Sequence, residues 1–334
     1  MSRQDKSSNS TRDGLRVLSL CGGIETGLIA FQRLGIPIAE YHTYEILPEA
    51  IAVSSHHFPF VIHHGDLFEA DWNDYKGFDL VIGGMCCQSL SRVRIENKEV
   101  NNGLLGKSGI VYELQKALEI IKPKWFMAEN VIPSDDEDLK ELNRIMGVDG
   151  VLINSNRFSA QDRERYYWTN IPIAPIPDSN PVVLKDVMES DVDEKYFYKK
   201  DFDILDMNKK VCAELKVNTM EMNRRIYNPN FKCATLTCIN GGYHEKKVLD
   251  GGKPRKLTEI EYERLQGVPD NFTNVEVNGR KISYTKRCSL MGNAWNEPTI
   301  EHIFKGLKKE LGLLPLAYES MMRFKEDMQK ELGQ

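Results

Sequence analysis

One short stretch limits the possible folds of this chain more than any other. Phe78–Ile82 is an apolar run with Val and Ile at its centre, which predicts a buried strand, and Gly83–Gly84 end it abruptly. Cys86–Cys87 follow at once, and the segment from there to Lys107 is polar and has no hydrophobic period. Reactive side chains directly beyond a buried strand are typical of α/β enzymes, which place their chemistry where rigid strands meet loops.

The first half of the chain alternates between strand-like and helix-like patterns. Leu15–Leu20 is apolar, Cys21–Gly23 predicts a turn, and Glu25–Leu34 carries apolar residues at the spacing of one helix face. This alternation predicts an α/β fold with a doubly wound, mostly parallel sheet. Further strands are predicted at Tyr41–Tyr44, Phe60–His63, Trp125–Ala128, Gly150–Asn154 and Tyr166–Ile171, and further helices from Pro48 and at Ile110–Ile121.

Acidic or nucleophilic side chains stand at the ends of four successive predicted strands: Glu45, Asp66, Cys87 and Glu129. The carboxyl ends of parallel strands line one crevice, so we expect these side chains to face a common site. The glycine turn after the first strand would let backbone amides approach a ligand, and an acid after the second strand is placed to bind a ribose diol. A glycine pair in this position also occurs as a plain turn, so the pattern alone leaves both interpretations open.

Cys87 is a candidate nucleophile, although free cysteine is often a buried structural residue. Its neighbours Gln88, Ser89 and Arg92 are polar or cationic, and a cationic setting favours the thiolate. The adjacent Cys86 leaves open which of the two thiols reacts.

Two more polar features have a functional and a structural interpretation. Glu129 follows the apolar Trp125–Ala128 and is either a tuned acid in the crevice or a solvated carboxylate. Gln161, Arg163 and Arg165 occupy alternating positions, so an extended backbone would present all three to one side. A solvated charge run has the same pattern, and the sequence alone favours neither.

Composition limits the classes of function. The 334 residues are 41% hydrophobic and 28% charged, with no apolar run long enough to span a membrane, which predicts a globular protein without a membrane partner. The polar, Ser-rich residues 1–13 predict a disordered lead-in rather than a signal peptide. The seven cysteines show no CxxC spacing, which favours reduced thiols and a cytoplasmic location. Because the formal net charge is −5, nucleic acid would have to bind a local basic patch.

Two groups of residues carry side chains that can bind metal. Cys233, Cys238 and His244 form one group, and His56–His57 with His63–His64 form the other. Neither group has the paired spacing of a zinc site, so we predict no metal.

The chain also carries a set of motifs in a particular order. This ordered set resembles the DNA cytosine-5 methyltransferases from Leu15 to about Phe304, and its wording is closest to the de novo branch, which also occurs in bacteria and their phages. The motifs are SLCGGIETG, Glu45 after the second strand, Gly65–Asp66, GGMCCQ, Gly103–Gly109, Glu129–Val131, Gln161–Arg165, Arg255–Thr273 and Met291–Ile300.

The resemblance implies the Rossmann-like fold of S-adenosylmethionine-dependent methyltransferases with a small target-recognition domain. Residues 14–171 would form the catalytic and cofactor-binding domain, 172–254 the target-recognition region, and 255–334 would return C-terminal motifs and helices to the catalytic domain. The expected partner is double-stranded DNA, in a bacterium or encoded by a phage, as in restriction-modification systems. A monomer and a homodimer stay open.

The resemblance also implies a mechanism. The Cys87 thiolate would add to C6 of a flipped-out cytosine, so that C5 takes the methyl group of S-adenosylmethionine and S-adenosylhomocysteine is released. Glu129 would hold and protonate N3, and Arg165, supported by Arg163, would contact the O2 edge.

The remaining implied roles are contacts to the cofactor and to DNA. The implied cofactor residues are Leu20, Cys21, Gly22, Gly23, Glu25, Thr26, Glu45, Ile46, Asp66, Leu67, Gly84, Asn293 and Ala294. The implied DNA contacts are Gln88, Ser89, Arg92, Asn130, Gln161, Lys246, Lys247 and Arg255.

The sequence departs from the family pattern at three positions. Cys86 stands where proline is usual, Cys21 where phenylalanine is common, and Ser19 where many members have an acid. These departures concern the level of activity more than the identity of the family. Two alternatives stay open: an RNA methyltransferase of the same family, and a catalytically weak DNA-binding relative, which the departures at Cys86 and Cys21 suggest.

Overall fold

The computed structural model describes residues 14–84, 109–133 and 136–313. The predicted lead-in 1–13 lies outside the described residues. So do five candidate site residues, which are Cys86, Cys87, Gln88, Ser89 and Arg92.

Seven strands form the main sheet. The first eight strands of the chain are β1 (Leu15–Leu20), β2 (Ile38–Tyr44), β3 (Ile62–His63), β4 (Leu80–Gly84), β5 (Trp125–Asn130), β6 (Val151–Asn154), β7 (Gln161–Asp162) and β8 (Glu164–Thr169). The order in the sheet is β3-β2-β1-β4-β5-β8-β6. Strands β1 to β5 pair in parallel, while β8 is antiparallel to both of its neighbours. The predicted mostly parallel sheet is confirmed.

Helices pack on both faces of this sheet. In the described residues the helices are α1 (Thr26–Leu34), α2 (Pro48–His57), α3 (Gly109–Ile121), α4 (Asp136–Met146), α5 (Glu221–Arg224), α6 (Glu259–Gln266), α7 (Tyr284–Asn293) and α8 (Glu297–Glu310), of which α5 lies next to the short strands of the second sheet. Alternation along β1 explains the two layers, because Val17 is buried in the core that contains α1 and α8, and Leu18 in the core that contains α3 and α4. The sequence pattern for a doubly wound fold thus comes from strands that are buried on both faces.

Element boundaries differ from the predictions in two instructive places. The predicted helix over Glu25–Leu34 begins at Thr26, because Glu25 has φ 60° and cannot be helical. The predicted strand Tyr166–Ile171 is observed as Glu164–Thr169, which brings Arg165 into the sheet.

A second sheet is built from short strands. Strands β9 (Phe202–Ile204), β10 (Val211–Leu215), β11 (Arg225–Tyr227), β13 (Lys247–Asp250) and β14 (Lys253–Lys256) lie in the order β14-β13-β11-β10-β9, and β12 (Cys233–Ala234) pairs with β7. The hairpin β15 (Glu276–Val277) and β16 (Arg280–Lys281) completes the strands. Strands this short cannot show a clear hydrophobic period, which is why the sequence gives little pattern here.

Helix α8 brings the end of the described chain back to its beginning. Phe304 of α8 stacks on Phe31 of α1 with ring centroids 4.5 Å apart, a contact worth about 0.5–1.5 kcal/mol beyond its buried area. Buried Glu297 at the start of α8 pairs with Arg33 of α1. This packing fixes the segment that enters α8, Asn293–Asn296, against the main sheet. Within the described parts of the chain, no helix has the length and apolar character needed to cross a membrane.

Candidate active site

The order of the main sheet creates a crevice next to β1. The chain leaves β1 toward β2 on one side, and β4 later pairs with β1 on the other side. Ligands of open α/β sheets bind at such a switch point, outside the carboxyl ends of the strands. The turn Cys21–Gly23, Glu45, Gly84 and Glu129 all lie at this edge, with Gly84 directly opposite Glu129 in the pairing of β4 and β5.

The turn after β1 has an unusual backbone. Cys21, Gly23 and Glu25 have φ values of 55°, 60° and 60°, the left-handed region that only glycine adopts freely. Holding Cys21 and Glu25 there costs on the order of 1–3 kcal/mol each. A Cβ added at Gly23 would meet no atom within 4 Å. The strained turn therefore presents open backbone to the crevice.

Glu45 links this turn to the next loop. Its Oε2 accepts a hydrogen bond from the Gly23 amide at 2.9 Å, and its Oε1 accepts from the Ile46 and Leu47 amides at 2.8 and 2.9 Å. A carboxylate has about four acceptor sites, so the three backbone bonds leave capacity for a ligand hydroxyl. The carboxylate is thus held in one orientation at the crevice.

The other end of the crevice combines an acid with exposed apolar side chains. Asp66 is exposed, and its Oδ1 accepts from the Phe68 amide at 3.0 Å. Ile46 and Phe68 are 50% and 54% exposed, while Leu67 is buried. Carboxylates that can accept from hydroxyl and amino groups, next to exposed apolar surface, suit the adenosine part of S-adenosylmethionine. The residues present therefore fit the cofactor that the sequence predicts.

Glu25 requires a correction among the predicted cofactor residues. Its carboxyl group lies beneath the turn, 1% exposed, and accepts hydrogen bonds from Ser19 Oγ at 3.1 Å and Tyr41 OH at 2.5 Å. Burial raises the pKa of Glu25 to about 7, against the lowering effect of the hydrogen bonds from Tyr41 and Ser19. The side chain supports the turn from below and does not face the crevice.

Several of the other predicted cofactor residues have buried side chains or no space for one. The Cβ of Ala294 and the side chains of Leu20 and Thr26 are buried. Asn293 Oδ1 accepts a hydrogen bond from the Cys238 thiol at 2.8 Å, which fixes its orientation. Gly22 has no space for a side chain, because an added Cβ would lie 2.5 Å from Thr43 Oγ1.

Glu129 is the acid at the centre of the site. It is 8% exposed near the end of β5, and its two carboxylate oxygens have different partners. Arg165 Nε lies 3.0 Å from Oε1, and the indole Nε1 of Trp295 donates to Oε2 at 3.2 Å. Asn130, a predicted DNA contact, uses its Oδ1 to accept from the Val131 amide at 2.8 Å. The arrangement holds a carboxylate and a guanidinium side by side beside the strand that leads to Cys87.

Arg163 differs from Arg165 despite the motif they share. Its guanidinium is 4% exposed and donates to the carbonyl oxygens of Leu236, Gly292 and Ala294 at 3.1–3.3 Å. Burial, and then the charge of Arg165, lower the pKa of Arg163 to about 10. The predicted catalytic support is therefore corrected: Arg163 donates to backbone carbonyl oxygens and holds the end of α7, with Ala294 after it, against β8.

Gln161 also turns inward rather than toward DNA. It is fully buried; its Nε2 donates to Leu265 O and to Gln266 Oε1, and its Oε1 accepts from the Leu236 amide. Gln266 in turn donates to the carbonyl oxygen of Ala294 at 3.0 Å. The predicted DNA contact is corrected to a structural amide that joins β7 to the C-terminal motifs.

The basic segment Lys246–Lys256 contains three of the predicted DNA contacts, Lys246, Lys247 and Arg255. Arg255 is 0% exposed and pairs with Glu261 through two hydrogen bonds, at 2.6 and 2.8 Å, and with Asp250 at 2.7 Å. Lys247 is 1% exposed and donates to the carbonyl oxygens of Tyr243 and Glu245; burial lowers its pKa to about 8. Burial also lowers the pKa of the half-buried Lys246. The prediction that Arg255 and Lys247 contact DNA is therefore corrected, because both side chains are buried and bind other residues of the chain.

Sequence reasoning did not single out Trp295, Gln266 or Asn296 as members of the site. Asn296 donates to Ser159 Oγ and to Leu265 O, both at 3.1 Å, and so joins the same buried network as Gln266. All three residues fall inside motifs that the sequence analysis identified, Arg255–Thr273 and Met291–Ile300. Their polar groups are the signal that could have marked them. In the described residues, no group of three or more His, Cys, Asp or Glu side chains could hold a metal ion.

The fold and the site define an α/β transferase with a crevice for a nucleoside cofactor and an adjacent acid–guanidinium pair. The family described as C-5 cytosine-specific DNA methylase matches residues 15–309, and the chain belongs to this family. Members of this family use S-adenosylmethionine. The predicted family and cofactor are confirmed.

Curated relatives are bacterial type II methyltransferases. The chain is 26% identical to M1.ScrFI of Lactococcus lactis subsp. cremoris over 266 residues, covering 72% of this chain and 64% of that protein, less than two thirds of its length. It is 28% identical to M.NgoBI of Neisseria gonorrhoeae over 259 residues, covering 71% of this chain and 76% of that protein.

Solved structures share the fold at low sequence identity. The Entamoeba histolytica methyltransferase EhMeth aligns with a TM-score of 0.66 at 17% identity, over 89% of this chain and 99% of that one. The S. pombe Dnmt2 methyltransferase aligns with a TM-score of 0.64 at 17% identity, also over 89% and 99%. These similarities confirm the predicted fold class.

Proposed function

We propose that this chain transfers the methyl group of S-adenosylmethionine to C5 of a flipped-out cytosine in double-stranded DNA. The observation that carries the proposal is the Glu129–Arg165 pair, 3.0 Å apart, directly opposite the end of the strand that leads to Cys87. Membership of the C-5 cytosine-specific DNA methylase family supports the reaction, and the type II methyltransferase relatives support DNA as its substrate.

Glu45 and Asp66 would hold the cofactor, with Ile46 and Phe68 beside its adenine. The bound cofactor supplies an electrophilic methyl group. The Gly23 backbone and the Glu45 carboxylate are already joined by a hydrogen bond, so this part of the crevice needs little rearrangement to accept a ribose. We therefore expect the cofactor to bind with little change in the conformation of this turn.

The cytosine would lie between Glu129, Arg165 and the Cys87 thiol. Addition of the Cys87 thiolate forms the Sγ–C6 bond and pushes charge into the ring, where a proton shared between Glu129 and N3 relieves it. C5 would then form its bond to the methyl carbon while the bond between that carbon and the cofactor sulfur breaks, which releases S-adenosylhomocysteine. Loss of the C5 proton to water would then break the Sγ–C6 bond and restore both the aromatic ring and the thiolate. Arg165, which also fixes Glu129, is the group for the O2 edge.

The proposed cellular location of the reaction rests on the relatives and on the cysteine spacing, which favours reduced thiols. The curated relatives are bacterial type II methyltransferases, so we place the reaction in a bacterial cytoplasm, on a short DNA sequence. The second sheet, formed by β9, β10, β11, β13 and β14, is the proposed target-recognition region. Its size suits a short recognition sequence.

Methyl transfer tests this proposal directly. Labelled S-adenosylmethionine is incubated with unmethylated plasmid DNA and, separately, with RNA, and modified cytosines are mapped at base resolution. We expect label at C5 of cytosine in DNA, in a fixed short context. Label only on RNA, or no label while the cofactor still binds, would contradict the DNA substrate.

The neighbouring thiol provides a matched control. Cys87→Ala should abolish transfer, because it removes the thiolate that adds to C6 in the proposed mechanism, whereas Cys86→Ala should retain much of the wild-type rate. Equal loss in both variants would remove the assigned role of Cys87.

A further inference from the structure

We propose that Trp295 is a positioning residue that orients the Glu129 carboxylate for the reaction. This inference rests on the proposed function. It concerns a side chain that belongs neither to the predicted catalytic set nor to the predicted cofactor set.

The contact is a single hydrogen bond in a packed setting. The indole Nε1 donates to Glu129 Oε2 at 3.2 Å. A Cβ added at Gly84 would lie 3.3 Å from the same Nε1, and one added at Gly27 would lie 3.6 Å from Cζ3 of the indole. The ring therefore lies against the last residue of β4 and the first turn of α1, where both neighbours are glycine. It touches the acid, the strand that leads to Cys87, and the helix behind the cofactor turn.

The carboxylate has two different partners, an ion pair with Arg165 and a hydrogen bond from Trp295. The terminal torsion of a glutamate side chain is broad and two-fold, so one partner leaves the carboxylate plane free to rotate. Arg165 holds Oε1 and Trp295 holds Oε2, which fixes the plane. The indole N–H is neutral and can only donate, so it orients the group without adding a second positive charge beside Arg165.

The position of the indole is itself set by the fold. Trp295 lies between Ala294, whose carbonyl oxygen accepts from Arg163 and Gln266, and the buried Asn296. The following helix α8 packs on α1. The orientation of Glu129 is therefore determined by the C-terminal motif as well as by its own strand.

The test replaces the indole N–H by sulfur. Site-specific incorporation of 3-benzothienylalanine at position 295 keeps the shape of tryptophan and removes the donor. We expect kcat for DNA methylation to fall about ten- to a hundredfold, the effect of losing a hydrogen bond to a charged group. The KM values for S-adenosylmethionine and DNA should stay within about twofold, because only the orientation of Glu129 changes.

Trp72 supplies the matched control. Its Nε1 donates to Glu113 Oε2 at 3.2 Å, the same bond between the same groups, with Glu113 on α3. The same replacement at position 72 should leave kcat unchanged. A purely structural role of the indole bond would instead give similar, small losses of stability at both positions and no separation in kcat.

A second readout does not depend on activity. The indole N–H resonances in a 15N spectrum can be assigned with Trp295→Phe and Trp72→Phe. Glu129→Gln should shift the Trp295 resonance and leave that of Trp72 in place, while Glu113→Gln should do the reverse.

The outcomes separate this inference from the proposed function. The positioning role alone is overturned if the protein without the Trp295 N–H has the wild-type kcat. It is also overturned if Glu129→Gln leaves the Trp295 resonance unshifted. A wild-type protein that methylates no DNA would remove the proposed function, and the positioning role with it.

Discussion

The crevice at the carboxyl ends of the main sheet and the basic segment Lys246–Lys256 contain the same kinds of charged side chain in opposite settings. In the crevice, Glu45 and Glu129 hold fixed orientations and keep 9% and 8% of their surface exposed. In the basic segment, Arg255 and Lys247 are buried and donate their hydrogen bonds to other residues of the chain. Charge in the sequence therefore indicates a site only where the fold leaves part of the group accessible.

The arginines of Gln161–Arg165 repeat this contrast over two positions. Arg163 spends its donors on three carbonyl oxygens, while Arg165 pairs with the central acid. Variants that remove an accessible charge should change catalysis, and variants that remove a buried charge should change stability.

The largest effect is expected at the central acid. Glu129→Gln keeps the size of the side chain but cannot exchange a proton with N3, so kcat should fall about a hundred- to ten-thousandfold. Single-turnover methylation of plasmid DNA measures the loss. Glu113→Gln, which changes the same type of residue on α3, should retain wild-type activity. A wild-type rate in Glu129→Gln would contradict the catalytic role of the Glu129 carboxylate.

Arg255→Met should reduce the free energy of unfolding by about 3–5 kcal/mol, because it leaves the buried Glu261 carboxylate without its partner. Urea unfolding measures the change. Arg264→Met is the control, since Arg264 and Asp270 form an exposed pair worth about 0–1 kcal/mol. Equal losses in the two variants would mean that Arg255 is not buried as described.

Glu25 should make stability depend on pH. Its folded pKa of about 7 lies above the unfolded value, so the folded state binds more protons than the unfolded chain between about pH 4.5 and 7. The free energy of unfolding should therefore fall as the pH rises through this window. Glu25→Gln removes the ionisation and should stabilise the protein at about pH 8 by on the order of 1–3 kcal/mol, with little gain at about pH 4.

Glu297, whose pKa burial also raises to about 7, gives the wild type a second contribution of the same sign. The difference between wild type and Glu25→Gln isolates the first group. A difference that does not change with pH would show that Glu25 is ionised without cost.

The smallest effect is expected at the edge of the basic segment. Lys253 is exposed in β14. If it contacts a phosphate, Lys253→Ala should weaken DNA binding a few-fold and lower the slope of log affinity against log salt by about one. Lys247→Met, at a buried neighbour, should not change the slope in the folded protein. A larger slope change for Lys247 than for Lys253 would reverse the comparison.

Much of the crevice could be predicted from sequence. Apolar runs that end at glycine, together with an acid after a strand, locate Glu45, Asp66 and Glu129 because strand ends are a local property. Burial is not local. Arg163 binds Leu236 and Gly292–Ala294, and Arg255 binds Glu261. The local sequence therefore does not show whether these arginines are exposed to a ligand or buried against other residues of the chain.

Two other residues show the same limit. Glu25 turned inward because its own backbone adopts a left-handed conformation, which the neighbouring glycines did not indicate. The contact between Trp295 and Glu129 joins residues 166 positions apart. No periodicity in the sequence reports such a pair.

The most direct measurement of the central claim is covalent trapping on DNA. Duplex DNA with 5-fluorocytosine in the target context is incubated with S-adenosylmethionine and the protein, because fluorine at C5 cannot leave as a proton and so blocks release of the thiol. Peptide mapping of the conjugate then identifies the attached residue. We predict a conjugate at Cys87, and we expect the Glu129→Gln variant to form it far more slowly. A conjugate at Cys86, or none on DNA that the wild type methylates, would contradict it.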